Sequence, residues 1–260
     1  MNRAQVEAAR GVLSGDLDEN IAYFRNLLHA DVNSDAHFRP FKAGDARLCV
    51  IYIEGMASDQ KISDFILRAC AADISEKTLP VTPESLMERV VEIAQCDTEE
   101  RVPQILDAVV TGMTAVLING CDEAVLLETR GYPARLVNRT TNESVVIGAQ
   151  EGFVESLRTN MTLMRRYVPC SDLITECISV GTRVPSRVTM VYLGNVADRA
   201  VVNAVRRRLK GIDAGTVQGL GAVQQHIEDQ PWALLPQMLQ TERPDRAASC
   251  VMDGQVVVLA

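Results

Sequence analysis

Two stretches of the 260-residue chain gather side chains capable of polar chemistry. The first is Gln150-Glu-Gly-Phe-Val-Glu-Ser-Leu-Arg-Thr-Asn-Met-Thr-Leu-Met-Arg-Arg-Tyr167. Helical spacing across Glu151–Arg166 places Phe153, Val154, Leu157, Met161, Met164 and Val168 on one face for burial. The other faces carry Glu151, Glu155, Ser156, Arg158, Thr159, Asn160, Arg165 and Arg166. Glu151, Glu155 and the Arg158/Thr159 pair stand one turn apart, so their side chains are neighbours. Arg158, Thr159 and Asn160 together supply donors suited to a carboxylate. This pattern fits a solvated helix with ordinary ion pairs, and it equally fits a polar face that docks a subunit or captures a small polar ligand. The second stretch, Thr241-Glu-Arg-Pro-Asp-Arg246, packs Glu242, Arg243, Asp245 and Arg246 around a proline. Pro244 fixes its own φ and pushes Arg243 towards an extended shape. That describes either a loop tethered by salt bridges or a rigid arm offering Arg243 and Arg246 to a partner.

Other chemistries lack their residues. The histidines His29, His37 and His226 are far apart, with no carboxylate or cysteine at metal-ligand spacing, so neither a metal nor a cofactor is expected. No G-x-S-x-G, G-x-G-x-x-G or G-x-x-x-x-G-K-[ST] pattern occurs. A formal net charge of −8 argues against nucleic acid as a partner. The run Arg206-Arg-Arg-Leu-Lys210 reads as the cation-rich last turn of a helix that Asp198 starts and Gly211 ends. No stretch approaches the roughly 20 apolar residues that span a bilayer, and the N-terminus lacks the basic start and apolar centre of a signal peptide. Seven scattered cysteines without a C-x-x-C pair suggest buried thiols in a reducing compartment.

The elements that must position the two polar stretches follow from periodicity. Leu17, Ile21, Phe24 and Leu28 mark an amphipathic helix over Asp16–His29, followed by an extended segment from Asp31 to Gly44. Leu48–Ile53 reads as a buried strand. Thr82-Pro83 starts a helix running to about Ala94. Asp97 with Glu100 signals another helix start, whose stripe is Ile105, Leu106, Val109, Val110 and Met113. Ala115–Ile118 and Ala124–Leu127 flank Asn119-Gly120 as a β-hairpin. Arg187–Ala197 then aligns with Arg47–Ala57 at an offset of 140 positions, and a helical pattern through Val201, Val202, Val205 and Leu209 follows. Ser249–Met252, Asp253-Gly254 and Val256–Leu259 read as a second strand–turn–strand. The expectation is an α/β chain of two related strand-helix-helix-hairpin subdomains, 1–147 and 148–260, joined by a helical linker. The second copy reads as cut short near Ala260, with further chain expected downstream.

Residues 115–131, 150–166, 188–210 and 236–246 together closely resemble the A subunit of GerA-type spore germinant receptors. The strings Glu151-Gly-Phe-x-Glu-Ser-Leu-Arg-Thr-Asn160 and Thr241-Glu-Arg-Pro-Asp-Arg246 carry the resemblance most specifically. It implies a soluble N-terminal domain that faces the cytoplasm, or spore core, ahead of a membrane domain in the spore inner membrane. Implied partners are B and C subunits, other A subunits and a small nutrient germinant (amino acid, sugar or nucleoside). The implied role is nutrient sensing, or receptor assembly and signalling to the membrane part, and it is not enzymatic. Two positions depart from the family pattern. Tyr132 stands where tryptophan is more usual, and Tyr167 replaces a third arginine after Arg165-Arg166. A cytosolic enzyme or small-ligand-binding α/β protein is the alternative.

Overall fold

The computed structural model describes residues 11–73, 81–89, 91–132, 143, 151–217, 219–230, 233 and 237–260. Contacts divide the chain into two units: Met1–Tyr132 with Pro169–Asp172, and Pro133–Val168 with Leu173–Ala260. The expected boundary at 147/148 lies outside the described residues.

In the first unit, helix α1 (Leu17–Leu27) leads into strands β1 (Ala36–Ala43) and β2 (Ala46–Ile53). A helix α2 follows, running from Asp59–Lys61 through a π-helical Ile62–Leu67 to Arg68–Asp73. After it come α3 (Pro83–Arg89), β3 (Cys96–Glu99), α4 (Val102–Val110), β4 (Thr114–Ile118) and β5 (Ala124–Leu127). The five strands form one antiparallel sheet in the order β1-β2-β4-β5-β3. Successive residues of a strand point to opposite faces, and here helices cover both. Cys49, Ile51, Ala115 and Leu117 pack with Leu17 and Phe24 of α1 and Ile105 and Val109 of α4. Leu48, Val50, Val116 and Ile118 pack with Ile62 and Ile66 of α2 and Leu86 of α3. Two covered faces explain why β2 and β4 are apolar without alternation although the sheet is antiparallel.

The second unit contains α5 (Leu157–Tyr167), β6 (Leu173–Val180), β7 (Ser186–Leu193), α6 (Arg199–Lys210), α7 (Gly219–Ile227), α8 (Pro244–Met252) and β8 (Val257–Leu259). Its antiparallel sheet runs β6-β7-β8. Ile174, Ile178, Val188 and Met190 meet Val202 and Leu209 of α6 and Val223 and Ile227 of α7, while α5 and α8 pack on each other.

The two units repeat one plan in atomic detail. Asn20 of α1 accepts from Ser14 N–H (3.1 Å) and donates to Ser14 C=O (2.6 Å). Asn160 of α5, offset by 140, accepts from Val154 N–H (2.8 Å) and donates to Val154 C=O (2.7 Å). Leu13 N–H donates to Glu100 C=O, and Phe153 N–H donates to Glu242 C=O, both at 2.8 Å. Gly112 (φ +101°) and Gly254 (φ +85°) end α4 and α8 in a backbone region that only glycine adopts freely. A Cβ would lie 2.9 Å from Met56 O at Gly112 and 3.3 Å from Val196 O at Gly254; the two glycines are 142 positions apart and the two carbonyls 140.

Several expected elements differ. Residues 151–155 are not helical; Ser156 caps α5 by accepting from Thr159 N–H, so the helix starts only at Leu157. α5 is the counterpart of α1 inside the second unit, not a linker. Asp97 lies in edge strand β3, and α4 begins after Arg101 with a proline in its first turn. Helix α3 ends at Arg89, before the expected Ala94. Ser249–Met252 is the end of helix α8, because Pro244 sits at its first position, where a missing N–H costs nothing. Asp253-Gly254 therefore matches the helix-ending Thr111-Gly112 and not the Asn119-Gly120 hairpin. Of the cysteines, Cys49 and Cys70 are buried while Cys177 is exposed. Burial pushes the Cys49 thiol up to about 12 and the Cys70 thiol up to about 11.

Asn20→Ala and Asn160→Ala each remove a buried two-way clamp, and each should cost about 1–3 kcal/mol in urea denaturation. Native-state alkylation near pH 8, read by mass spectrometry, should modify Cys177 well before Cys49 or Cys70.

Candidate functional site

The second unit brings the two polar stretches together. Phe153 N–H donates to Glu242 C=O, tying the lead-in of α5 to the lead-in of α8. Around this tie, Glu151 accepts from Tyr167 Oη (3.1 Å) and pairs with Arg166 (3.3 Å). Arg243 caps nothing with its side chain; its guanidinium turns onto Asp245 in the first turn of α8, with Nε–Oδ1 at 3.1 Å. Glu143 receives both Thr241 Oγ1 (2.6 Å) and Arg246 Nη1 (3.2 Å).

Electrostatics link these pairs into one cluster. The Arg243 hydrogen bond holds the Asp245 carboxyl below the usual carboxylate range, against a smaller desolvation effect. The same bond raises the Arg243 guanidinium further, with Glu143 and Tyr167 adding to it. Burial pushes the Tyr167 hydroxyl up first, the Glu151 hydrogen bond second, and the charges of Glu151 and Asp245 reinforce both.

Not every expected residue joins the surface. Glu155, Ser156 and Arg158 are exposed, and Thr159 is half-buried. Asn160 is buried, and its amide exchanges hydrogen bonds with the Val154 backbone. Arg165 is fully buried. Of the expected apolar face, Met164 and Val168 are buried; Phe153 and Val154 precede the helix and are half-buried, as are Leu157 and Met161, while α5 also buries Asn160, Thr162, Leu163 and Arg165. The Arg243–Arg246 stretch is not a free arm but the start of α8, and both its arginines are engaged by carboxylates of the same unit. Sequence reasoning did not anticipate Tyr167 and Glu143 as members. Glu143 lies 98 positions from Thr241, so no local pattern could have revealed it.

Beside this cluster lies a cavity of about 490 Å³, reached by Phe153, Val154, Asn160, Thr241 and Glu242 and walled elsewhere by α7 and β8. Two arginines of the basic run of α6 are engaged within the second unit. Arg206 binds Glu176 of β6 (Nη2–Oε2, 2.6 Å) and Tyr192 (3.1 Å), and Arg208 donates to Ile227 C=O (2.7 Å). Among the described residues, no group of three or more His, Cys, Asp and Glu could hold a metal ion. No helix among them is long and apolar enough to cross a membrane.

The profile of the Bacillus/Clostridium GerA spore germination protein family matches residues 22–260. The chain belongs to the GerA family. It is 27% identical over 259 residues to spore germination protein KA of Bacillus subtilis, covering 98% of this chain and 47% of that protein. Spore germination protein A1 of the same organism is 31% identical over 213 residues, or 80% of this chain and 42% of that protein. The chain thus spans about half the length of the curated relatives it matches. The crystal structure of the N-terminal domain of the A subunit of the Bacillus megaterium spore germinant receptor GerK3 superposes with a TM-score of 0.73 at 26% identity, covering 95% of this chain and 92% of that one. The fold of this GerA-family chain is therefore that of a germinant receptor A-subunit N-terminal domain.

The Arg243–Asp245 pair predicts a pH dependence. Because the folded-state carboxyl is lowered, its contribution is present above the ordinary carboxylate range and is lost as pH falls through the lowered value. Asp245→Asn should cost up to about 1 kcal/mol near neutrality. Urea denaturation of the two proteins should show that difference shrinking towards pH 3.

Proposed function

We propose that this chain acts in nutrient-triggered germination as an assembly and signal-transmitting domain of a germinant receptor A subunit, and that the α5–α8 polar face is its contact surface. The supporting observation is the convergence of two polar motifs, some ninety positions apart, through the Phe153–Glu242 hydrogen bond. Glu151, Arg166, Thr241, Arg243, Asp245 and Arg246 hold one another or Glu143 in place. Glu155, Ser156 and Arg158 stand exposed beside them. A pre-organised charged rim of this kind selects a partner by electrostatic complementarity more than by raw affinity.

In this reading the partners are the B and C subunits and other A subunits. The domain faces the spore core, with the membrane part of the receptor in the inner membrane. In this reading the carboxylates of the cluster serve as ion-pair and hydrogen-bond partners of arginine, threonine and tyrosine, and the role is not enzymatic.

The test is genetic and biophysical. Glu155→Lys and Arg158→Glu, placed in the native receptor, should leave the melting temperature of the purified domain unchanged. Both should slow nutrient-triggered loss of spore optical density at least about tenfold, since disrupted hot-spot contacts cost more than 1 kcal/mol. Germination by a stimulus that bypasses nutrient receptors should be normal. Wild-type nutrient response in both variants would remove this face from the mechanism. Isothermal calorimetry with amino acids, sugars and nucleosides separates direct germinant capture by this domain from assembly alone.

A further inference from the structure

The repeat relating the two units extends to strand register. β2 pairs with β4 as Cys49↔Leu117, Val50↔Val116 and Ile51↔Ala115. β7 pairs with β8 as Thr189↔Leu259, Met190↔Val258 and Val191↔Val257. With β2 and β7 offset by 140, these pairings set β4 and β8 level at an offset of 142, so that Ile118 corresponds to Ala260. The glycines before the two strands, Gly112 and Gly254, are offset identically.

The likeness ends at the far side of the third strand. β4 carries β5 there, antiparallel, through Thr114↔Leu127, Ala115↔Leu126 and Val116↔Val125. β8 is the last strand of its sheet among the described residues. Burial records the difference. All five residues of β4 are buried, whereas Val257 and Val258 of β8 are only half-buried. The cavity of about 490 Å³ opens along β8, lined by Val256, Val258, Leu220, Ile227 and Met238 with Val154. An exposed strand edge beside an apolar groove is a template for pairing, and an added strand gains main-chain hydrogen bonds together with side-chain pockets.

We propose that the edge of β8 that pairs with no strand among the described residues receives one further antiparallel strand, entered from β8 by a tight turn as β5 is entered from β4, and that this strand fills the groove. Its sequence pattern should resemble Ala124-Val-Leu-Leu127, apolar at every position, because side chains on both of its faces would meet core. Polypeptide for such a strand exists in the family: spore germination protein KA matches 98% of this chain with only 47% of its own length.

The register makes the test direct. The turn and strand of the first unit, Asn119 to Glu128, are fused after Ala260, where they fall in phase. Hydrogen exchange at Val257–Leu259 should slow at least roughly tenfold in the fused protein relative to the 260-residue chain, and thermal unfolding should move up. A fusion carrying the same ten residues in scrambled order should do neither. Equal exchange and melting in the ordered and scrambled fusions would overturn the proposal. So would concentration-dependent dimerisation of the unfused chain that protects β8 to the same degree, since a second copy would then be the occupant.

Discussion

A single backbone hydrogen bond, from Phe153 N–H to the Glu242 carbonyl, fastens together two segments that the sequence keeps far apart. The pairs made by Glu151, Asp245 and Glu143 depend on where those segments sit. The bond places the approach to α5 beside the approach to α8, and each helix then begins at a fixed point. Ser156 caps α5 and Pro244 opens α8, so neither start can slide. Asn160 locks the geometry from inside the helix by holding both backbone groups of Val154. The first unit repeats this arrangement with Leu13, Glu100 and Asn20. The tie is thus a property of the fold, while the charge pairs around it differ between the copies: Arg101 with Glu99 in the first unit, Arg243 with Asp245 in the second.

That division explains how an acidic chain presents an organised rim. Buried or half-buried charges are tolerated when paired and hydrogen-bonded. Glu151 is satisfied by Tyr167 and Arg166, Asp245 by Arg243, and Glu143 by Thr241 and Arg246. Pairs this exposed add little to stability. Their physical effect is to fix side-chain positions, so that a partner would meet a surface whose ordering entropy is already lost. Tyr167 takes part in this fixing, because its hydroxyl donates to the Glu151 carboxylate.

The strands over Leu48–Ile53 and Ala115–Ile118 were legible as short continuous apolar runs, and the apolar stripes of α1 and α4 were legible because burial on a regular element imposes a period. The expected residues Leu17, Phe24, Leu28, Ile105 and Val109 are all buried. The hairpin at Asn119-Gly120 and the repeat at offset 140 were legible for the same local reason. The start of α5 was misplaced because Phe153 and Val154 continue a helical period that Ser156 interrupts, and a cap outranks a period. β3 was mistaken for a helix start because Asp97 and Glu100 mimic a capping box while the segment pairs with β5, a contact no local pattern encodes. Ser249–Met252 looked like a strand because a short apolar run is compatible with either period.

By itself, then, the sequence determined the inventory: a repeated α/β unit and two polar motifs specific enough to place the chain among GerA proteins. Tertiary structure decided how the motifs are used. It turned Asn160 and Arg165 inward, joined Glu143 to Thr241 and Arg246 across 98 and 103 positions, and left β8 at the margin of its sheet. The reason is physical. Periodicity and capping act over one or two turns, whereas the partner of a charge or of a strand edge is chosen by packing between segments, which local spacing does not record.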